Sequence, residues 1–121
     1  MKVIVAGSRD ITDRQLVWGA IERSGFEITE LVSGCCRGVD ECGNEWALRN
    51  GVAMNLFGAD WDKHGAAAGP IRNQAMANYA DALVLVWDGK SRGSQDMLMK
   101  ATVKGLKIYA ESTKETSDAK P

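Results

Sequence analysis

Apolar and polar positions along the chain switch between two periods. Val3-Ile4-Val5-Ala6 is a short continuous apolar run that opens at Gly7-Ser8-Arg9 and reads as a first buried strand. Thr12 and Gln15 have the spacing of a capping box, and Leu16, Val17, Ala20 and Ile21 then fall on one helical face until Ser24-Gly25 stops it. Ile28 to Ser33 is a second strand, ending in Gly34. Val39, Cys42, Trp46 and Ala47 predict a helix from Val39 to Arg49, with Gly51 beyond its end, and Val52 to Phe57 a third strand. Gly58 to Gly69 reads as a long connection. Pro70 then suits the first turn of a helix whose Ile71, Ala75, Met76 and Tyr79 share a face. Ala82 to Val86 is the clearest strand signal; the Asp88 to Gly93 loop follows, and Ser94 caps a last helix that reaches Lys104 and closes at Gly105. Leu106 to Tyr109 is a final short strand.

Strands alternating with helices require parallel pairing through right-handed crossovers, with helices on both faces of the sheet. The central runs are continuously apolar, as a sheet covered on both sides demands. The fold class expected is therefore a single Rossmann-like α/β domain over residues 1–110, with a five-stranded parallel sheet in the order 3-2-1-4-5. Residues 111–121, ESTKETSDAKP, offer Ala119 as their one apolar side chain and read as a flexible polar tail.

Composition narrows this further. A chain of 121 residues with 45% hydrophobic and 26% charged residues can bury a core without a disulfide or a metal. Nothing approaches the ~18 apolar residues of a membrane span, and the opening apolar run is too short for a signal peptide. Fifteen basic and sixteen acidic residues leave a formal charge of −1, which weighs against long nucleic acid as the main partner. Cys35, Cys36 and Cys42 do not form a disulfide framework and point to a reducing cytoplasm, that of the host if the chain is phage-encoded.

In such a sheet, ligands bind at the carboxyl ends of the strands, where the strand order reverses. Three loops there each combine glycine, a hydroxyl and an arginine: Gly7, Ser8 and Arg9; Ser33, Gly34, Arg37, Gly38 and Asp40; and Gly89, Ser91, Arg92, Gly93 and Ser94. Small residues admit a ligand to the backbone, helix N-terminal N–H groups receive anionic oxygens, and arginine supplies a bidentate fork. The expected ligand is a small anion, most simply a phosphate. GxGxxG and GxxxxGK[ST] are both missing, so an ordinary NAD dehydrogenase or P-loop nucleotidase is not expected.

The remaining candidates each have two readings. Asp40 either caps the second helix or contacts a ribose or metal. Asp60, Asp62 and Asp88 lie near the rim without metal-ligand spacing, and neither a metal nor a cofactor is expected. Trp61 and Trp87 sit in connections at the ligand edge, where they stack on a base or, for Trp87, pack in the core. Trp18 and Trp46 lie on helices as core or subunit contacts, the latter favouring a homo-oligomer. His64 is an acid or base near neutral pH, or simply solvated. Cys35 has either a lowered thiol pKa, from a nearby arginine, or a packing role.

Ser33-Gly-x-x-Arg-Gly-Val-Asp40, the opening Gly7-Ser8-Arg9 and Gly69-Pro-Ile-Arg-Asn73 together resemble the YspA-like SLOG family, from Met1 to about Tyr109. Its superfamily includes the lonely-guy phosphoribohydrolases and DNA-processing protein A domains. The resemblance implies recognition of a nucleotide or nucleotide-derived small molecule, by a sensor or sequestering protein, with Arg72 and Asn73 reaching in beside the three loops. Arg72-Asn73-Gln74-Ala75-Met76 and Ala80-Asp81-Ala82 match a lonely-guy segment, which makes Arg72 the counterpart of an active-site arginine. Met97 stands where those enzymes carry the catalytic glutamate, and the adjacent Asp96 lies ~100° around the helix. One alternative is thus a nucleotide hydrolase using Arg72 with Asp96, Asp40 or His64. The other, from the likeness of the first two loops to DNA-processing protein A, is a single-stranded DNA-binding module.

Overall fold

The computed structural model describes residues 1–113. Five parallel strands, β1 (Lys2–Gly7), β2 (Glu30–Ser33), β3 (Ala53–Leu56), β4 (Ala82–Trp87) and β5 (Lys107–Ser112), form one sheet in the order β3-β2-β1-β4-β5. This is the expected class and strand order. The chain winds outward from β1 to β3, then returns to lay β4 against the other side of β1. The reversal therefore falls between β1 and β4, which pair from Val3↔Ala82 to Gly7↔Val86.

Each face of the sheet owns a core. Val3, Val5, Leu31 and Val84 are fully buried beneath α1 (Arg14–Ser24) and α2 (Val39–Asn50), with Val17, Ile21 and Val39 pressing down on them. On the other face Ile4, Val32, Leu83 and Leu85 meet Met76 and Ala77 of α4 (Ala68–Tyr79) and Met97 and Ala101 of α5 (Arg92–Lys104). Alternate residues of β1 and β4 thus point into opposite cores, which is why their sequences are apolar at every position.

Several boundaries differ from the sequence expectation, each for a local reason. Asp13, not Thr12, caps α1: its Oδ1 accepts from the amides of Gln15 (3.0 Å) and Leu16 (3.4 Å). The long connection contains a one-turn helix, α3 (Trp61–His64), held at its start by Asp60 Oδ1 on the Lys63 amide at 3.1 Å, and then a 3-10 turn, Gly65–Ala67. Helix α4 consequently starts at Ala68, before Pro70, and is rotated from the expected face: Asn73, Met76, Ala77 and Ala80 point inward while Ile71 is exposed. Ser91 caps α5 by accepting from the Ser94 amide at 3.4 Å, so Ser94 lies inside the first turn, where it is buried. Strand β5 continues past residue 110, and Glu111 takes both oxygens to Arg23 of α1, at 2.6 and 2.8 Å. The rest of the expected polar tail, 114–121, lies outside the described residues. Among those residues no helix is long and apolar enough to cross a membrane.

Candidate cleft at the carboxyl edge

Two glycines fix how closely the edge loops approach. A Cβ on Gly7 would lie 1.8 Å from the Val86 carbonyl oxygen, so only glycine lets the end of β1 close against β4. Gly38 has φ +77°, and a Cβ there would meet the carbonyl oxygens of Ser8 and Arg9 at 2.5 Å; the second loop rests directly on the first. Ser8 fastens a third loop to these two. Its Oγ accepts from the Asp88 amide at 3.1 Å, and its carbonyl accepts from Ile11 (3.3 Å) and Val39 (3.4 Å). Asp88 in turn accepts from the amides of Lys90 (2.8 Å) and Ser91 (2.9 Å), bonds that hold its carboxyl below the usual carboxylate range.

Between these loops, the start of α5 and the inner side of α4 lies a cleft of about 390 Å³, within the size range of small-ligand sites. Of the residues singled out from the sequence it gathers Gly7, Ser8, Arg9, Arg37, Asp40, Arg72, Asn73, Ser91, Gly93 and Ser94, over a floor that includes Met76 and Met97. A second cleft of about 340 Å³ adjoins it across Arg9, Cys36, Arg37 and Arg72, and is bounded by Gly34 and Trp61. Ser33, Gly38, Gly89, Arg92 and Asp96 line neither cleft. Ser33 holds its own loop, its Oγ accepting from the Cys35 amide at 3.2 Å. Arg92 is exposed on the first turn of α5, and His64 is exposed on α3 and lines neither cleft.

A line of polar contacts crosses the site. Arg72 Nη1 donates to the Gly34 carbonyl at 2.6 Å and meets Cys36 Sγ at 3.6 Å, while Nε donates to Asn73 Oδ1 at 2.9 Å. Asn73 Nδ2 donates to Asp96 Oδ2 at 2.9 Å and to the Gly93 carbonyl at 3.3 Å, and Lys100 Nζ holds Asp96 Oδ1 at 2.5 Å. Asp96 therefore stands behind Asn73 with both oxygens engaged, while Met97 is the neighbour that faces the cleft. Lys100 was missed in the sequence, although its i,i+4 spacing from Asp96 was a readable signal.

Asp40 does not cap α2. Its Oδ2 accepts from the Cys36 amide at 3.2 Å, bracing the second loop, and the residue is 4% exposed. Burial pushes its carboxyl up to about 6, against the opposing pull of the Cys36 amide and of Arg72. Cys35 carries a positive φ of 64° in the same loop. Its thiol is pushed up by partial burial and then by Asp40, the opposite of the lowering that a nearby arginine would give. Ser94 is 4% exposed, and its Oγ has no hydrogen-bond partner among the described residues. A buried orphan hydroxyl costs ~1–3 kcal/mol, which a ligand oxygen at the N-terminus of α5 would recover.

The tryptophans separate clearly. Trp18 Nε1 donates to the Cys42 carbonyl at 2.8 Å, tying α1 to α2, and Trp46 packs against the same core. Trp87 packs against the opposite core, and Trp61 is left 50% exposed on the second cleft. Among the described residues no group of three His, Cys, Asp or Glu is placed to hold a metal ion.

Comparison with known proteins agrees with this architecture. The profile of the YspA, cpYpsA-related SLOG family matches residues 1–64, the segment that carries the first two edge loops. The Gene 61 protein of Mycobacterium phage D29 is 32% identical over 117 residues, an overlap of 88% of this chain and 93% of that protein. The crystal structure of DNA processing protein A from Streptococcus pneumoniae superimposes with a TM-score of 0.72 at 22% identity, over 90% of this chain. This chain spans about half of that one, 49%, and the likeness is one of fold.

Proposed function

Since the chain belongs to the YspA, cpYpsA-related SLOG family, we propose that it binds a nucleotide or nucleotide-derived small molecule at the carboxyl edge of its sheet, as a sensor or sequestering protein. The observation that carries this reading is the set of anion-recognising groups around one cleft: Arg9, Arg37 and Arg72, with the unpartnered Ser94 hydroxyl at the start of α5. Arg9 and Arg37 form no ion pair among the described residues, so their guanidinium forks are available to phosphate oxygens. Arg72 is held by Gly34 and Asn73 through Nη1 and Nε, which leaves Nη2 to donate. The whole chain carries a net charge of −1 while three arginines border this edge, a combination that suits a small anion better than a polyanion.

The test is a thermal-shift screen against nucleoside mono-, di- and triphosphates, cyclic dinucleotides, NAD and ADP-ribose, with chromatography of each incubated ligand. A ligand at a hundred times its Kd adds about 2.7 kcal/mol to stability, a readable rise in Tm for a domain of this size. A rise with the ligand intact supports the sensor or sequestering reading. If no nucleotide shifts the Tm, that reading fails.

Hydrolysis is the second reading, and Asp40 favours it. A carboxyl at about 6 inside the cleft exchanges protons near neutral pH, as a general acid or base must. Arg72 would then anchor the phosphate while Asp96 keeps Asn73 in place. Under this reading Asp40→Asn binds nucleotide and releases no product, whereas wild type releases base or phosphate.

A further inference from the structure

The two clefts adjoin and share part of their wall. Arg9, Cys36, Arg37 and Arg72 border both, so the guanidinium groups stand between two recesses rather than at the closed end of one. Beyond that wall the second cleft is bounded by a large aromatic ring. Trp61 is half exposed on a one-turn helix that contributes nothing to the core, and no ring or cation among the described residues stacks on its indole. Leaving an indole in water is unfavourable, and the fold does not need the exposed face for packing. Gly69 sets the spacing. A Cβ placed on it would lie 3.4 Å from the Trp61 ring edge and 3.7 Å from Arg72 Nη2, so ring and guanidinium flank the same glycine at the start of α4.

From this arrangement we infer that the second cleft is a base-stacking subsite centred on Trp61, and that the ligand is two-ended. A heterocycle lies on the indole, a phosphate or pyrophosphate bridge crosses Arg9, Arg37 and Arg72, and a further group enters the larger cleft toward Ser94. The chemical class is a dinucleotide or a nucleoside diphosphate bearing a second substituent, as distinct from a simple mononucleotide. The inference rests on the nucleotide reading given above and adds to it the subsite and the ligand class.

The experiment is calorimetric titration of wild type, Trp61→Ala and Trp61→Phe. The probes are ribose 5-phosphate, the four common nucleoside monophosphates, ADP-ribose, NAD, cyclic di-AMP and cyclic di-GMP. At least one two-ended probe should bind wild type tenfold or more tighter than any monophosphate. Trp61→Ala should weaken that probe about 10- to 100-fold, the range that loss of one base–aromatic stack gives, and leave ribose 5-phosphate unchanged. Trp61→Phe should retain most of the affinity. The half-exposed position of Trp61 means that the circular dichroism and Tm of both variants should match wild type. If nucleotides bind but Trp61→Ala matches wild type, or monophosphates bind as tightly as two-ended probes, the inference is overturned while the nucleotide reading stands. If only oligothymidylates bind, with affinity growing with strand length, single-stranded DNA replaces both.

Discussion

At the scale of single residues, the cleft depends on groups whose roles are set by distance rather than by type. Asp40 is the clearest case. Its native carboxyl is raised from 3.8 to about 6, so the folded protein holds a proton there that the unfolded chain has already lost. The unfolded state binds fewer protons between about pH 4 and 6, and stability attributable to this group therefore falls as pH rises through that window. Asp40→Asn keeps an acceptor for the Cys36 amide without the buried charge. It should raise stability at pH 7.5 by on the order of 2 kcal/mol and leave it near wild type at pH 4, read by urea denaturation at the two pH values. A constant offset between the two proteins would remove the charge argument. The glycines give a second contrast: Gly38→Ala drives a Cβ into two backbone oxygens at a positive φ, whereas Gly93→Ala meets nothing within 4 Å inside a helix. The first should destabilise by more than ~3 kcal/mol and the second should stabilise by about 0.5–1 kcal/mol, measured by Tm and denaturant midpoint. Gly7, Ser8, Arg9, Arg37 and Asp40 were legible because loop glycines and arginines at strand ends are local signals. The roles within the site were not, since whether Asp40 caps a helix or braces a loop depends on where the Cys36 amide lies in space.

At the scale of elements, the buried strands were readable because both faces of β1 and β4 are covered, leaving no polar position to blur them. Leu83→Ala in β4, a fully buried position between α4 and α5, should cost ~2–5 kcal/mol, seen as a lowered denaturant midpoint with an unchanged m-value. Helix α3 was illegible for the opposite reason: four residues with no buried side chain carry no apolar period. The register of α4 also escaped the pattern. The inward side of that helix includes Asn73, a polar residue spent on Asp96 and Gly93, while the apolar Ile71 faces outward. Asn73, the polar position that misled the reading of α4, sits at the cleft, where the chain sacrifices packing for hydrogen bonding. The caps shifted by one to three residues, from Thr12 to Asp13 and from Ser94 to Ser91, because neighbouring side chains of equal capping ability compete and only the backbone path decides between them.

At the scale of the whole molecule, the reversal of strand order between β1 and β4 brings three chain segments, remote in sequence, to one edge. A nearly neutral chain with three of its seven arginines, Arg9, Arg37 and Arg72, bordering that edge should bind a small anion with a shallow salt dependence, whereas a strand-binding module loses affinity steeply as salt rises. The decisive measurement is calorimetric titration of the best nucleotide from the screen into wild type and Arg37→Ala, in 50 and 200 mM salt. Arg37 is exposed and makes no ion pair among the described residues, so its loss leaves the fold intact. One molecule should bind per chain, with a tenfold or greater weakening in Arg37→Ala and a modest change with salt. Equal affinity of the two proteins, or heat from oligonucleotides alone, would contradict nucleotide binding at this cleft.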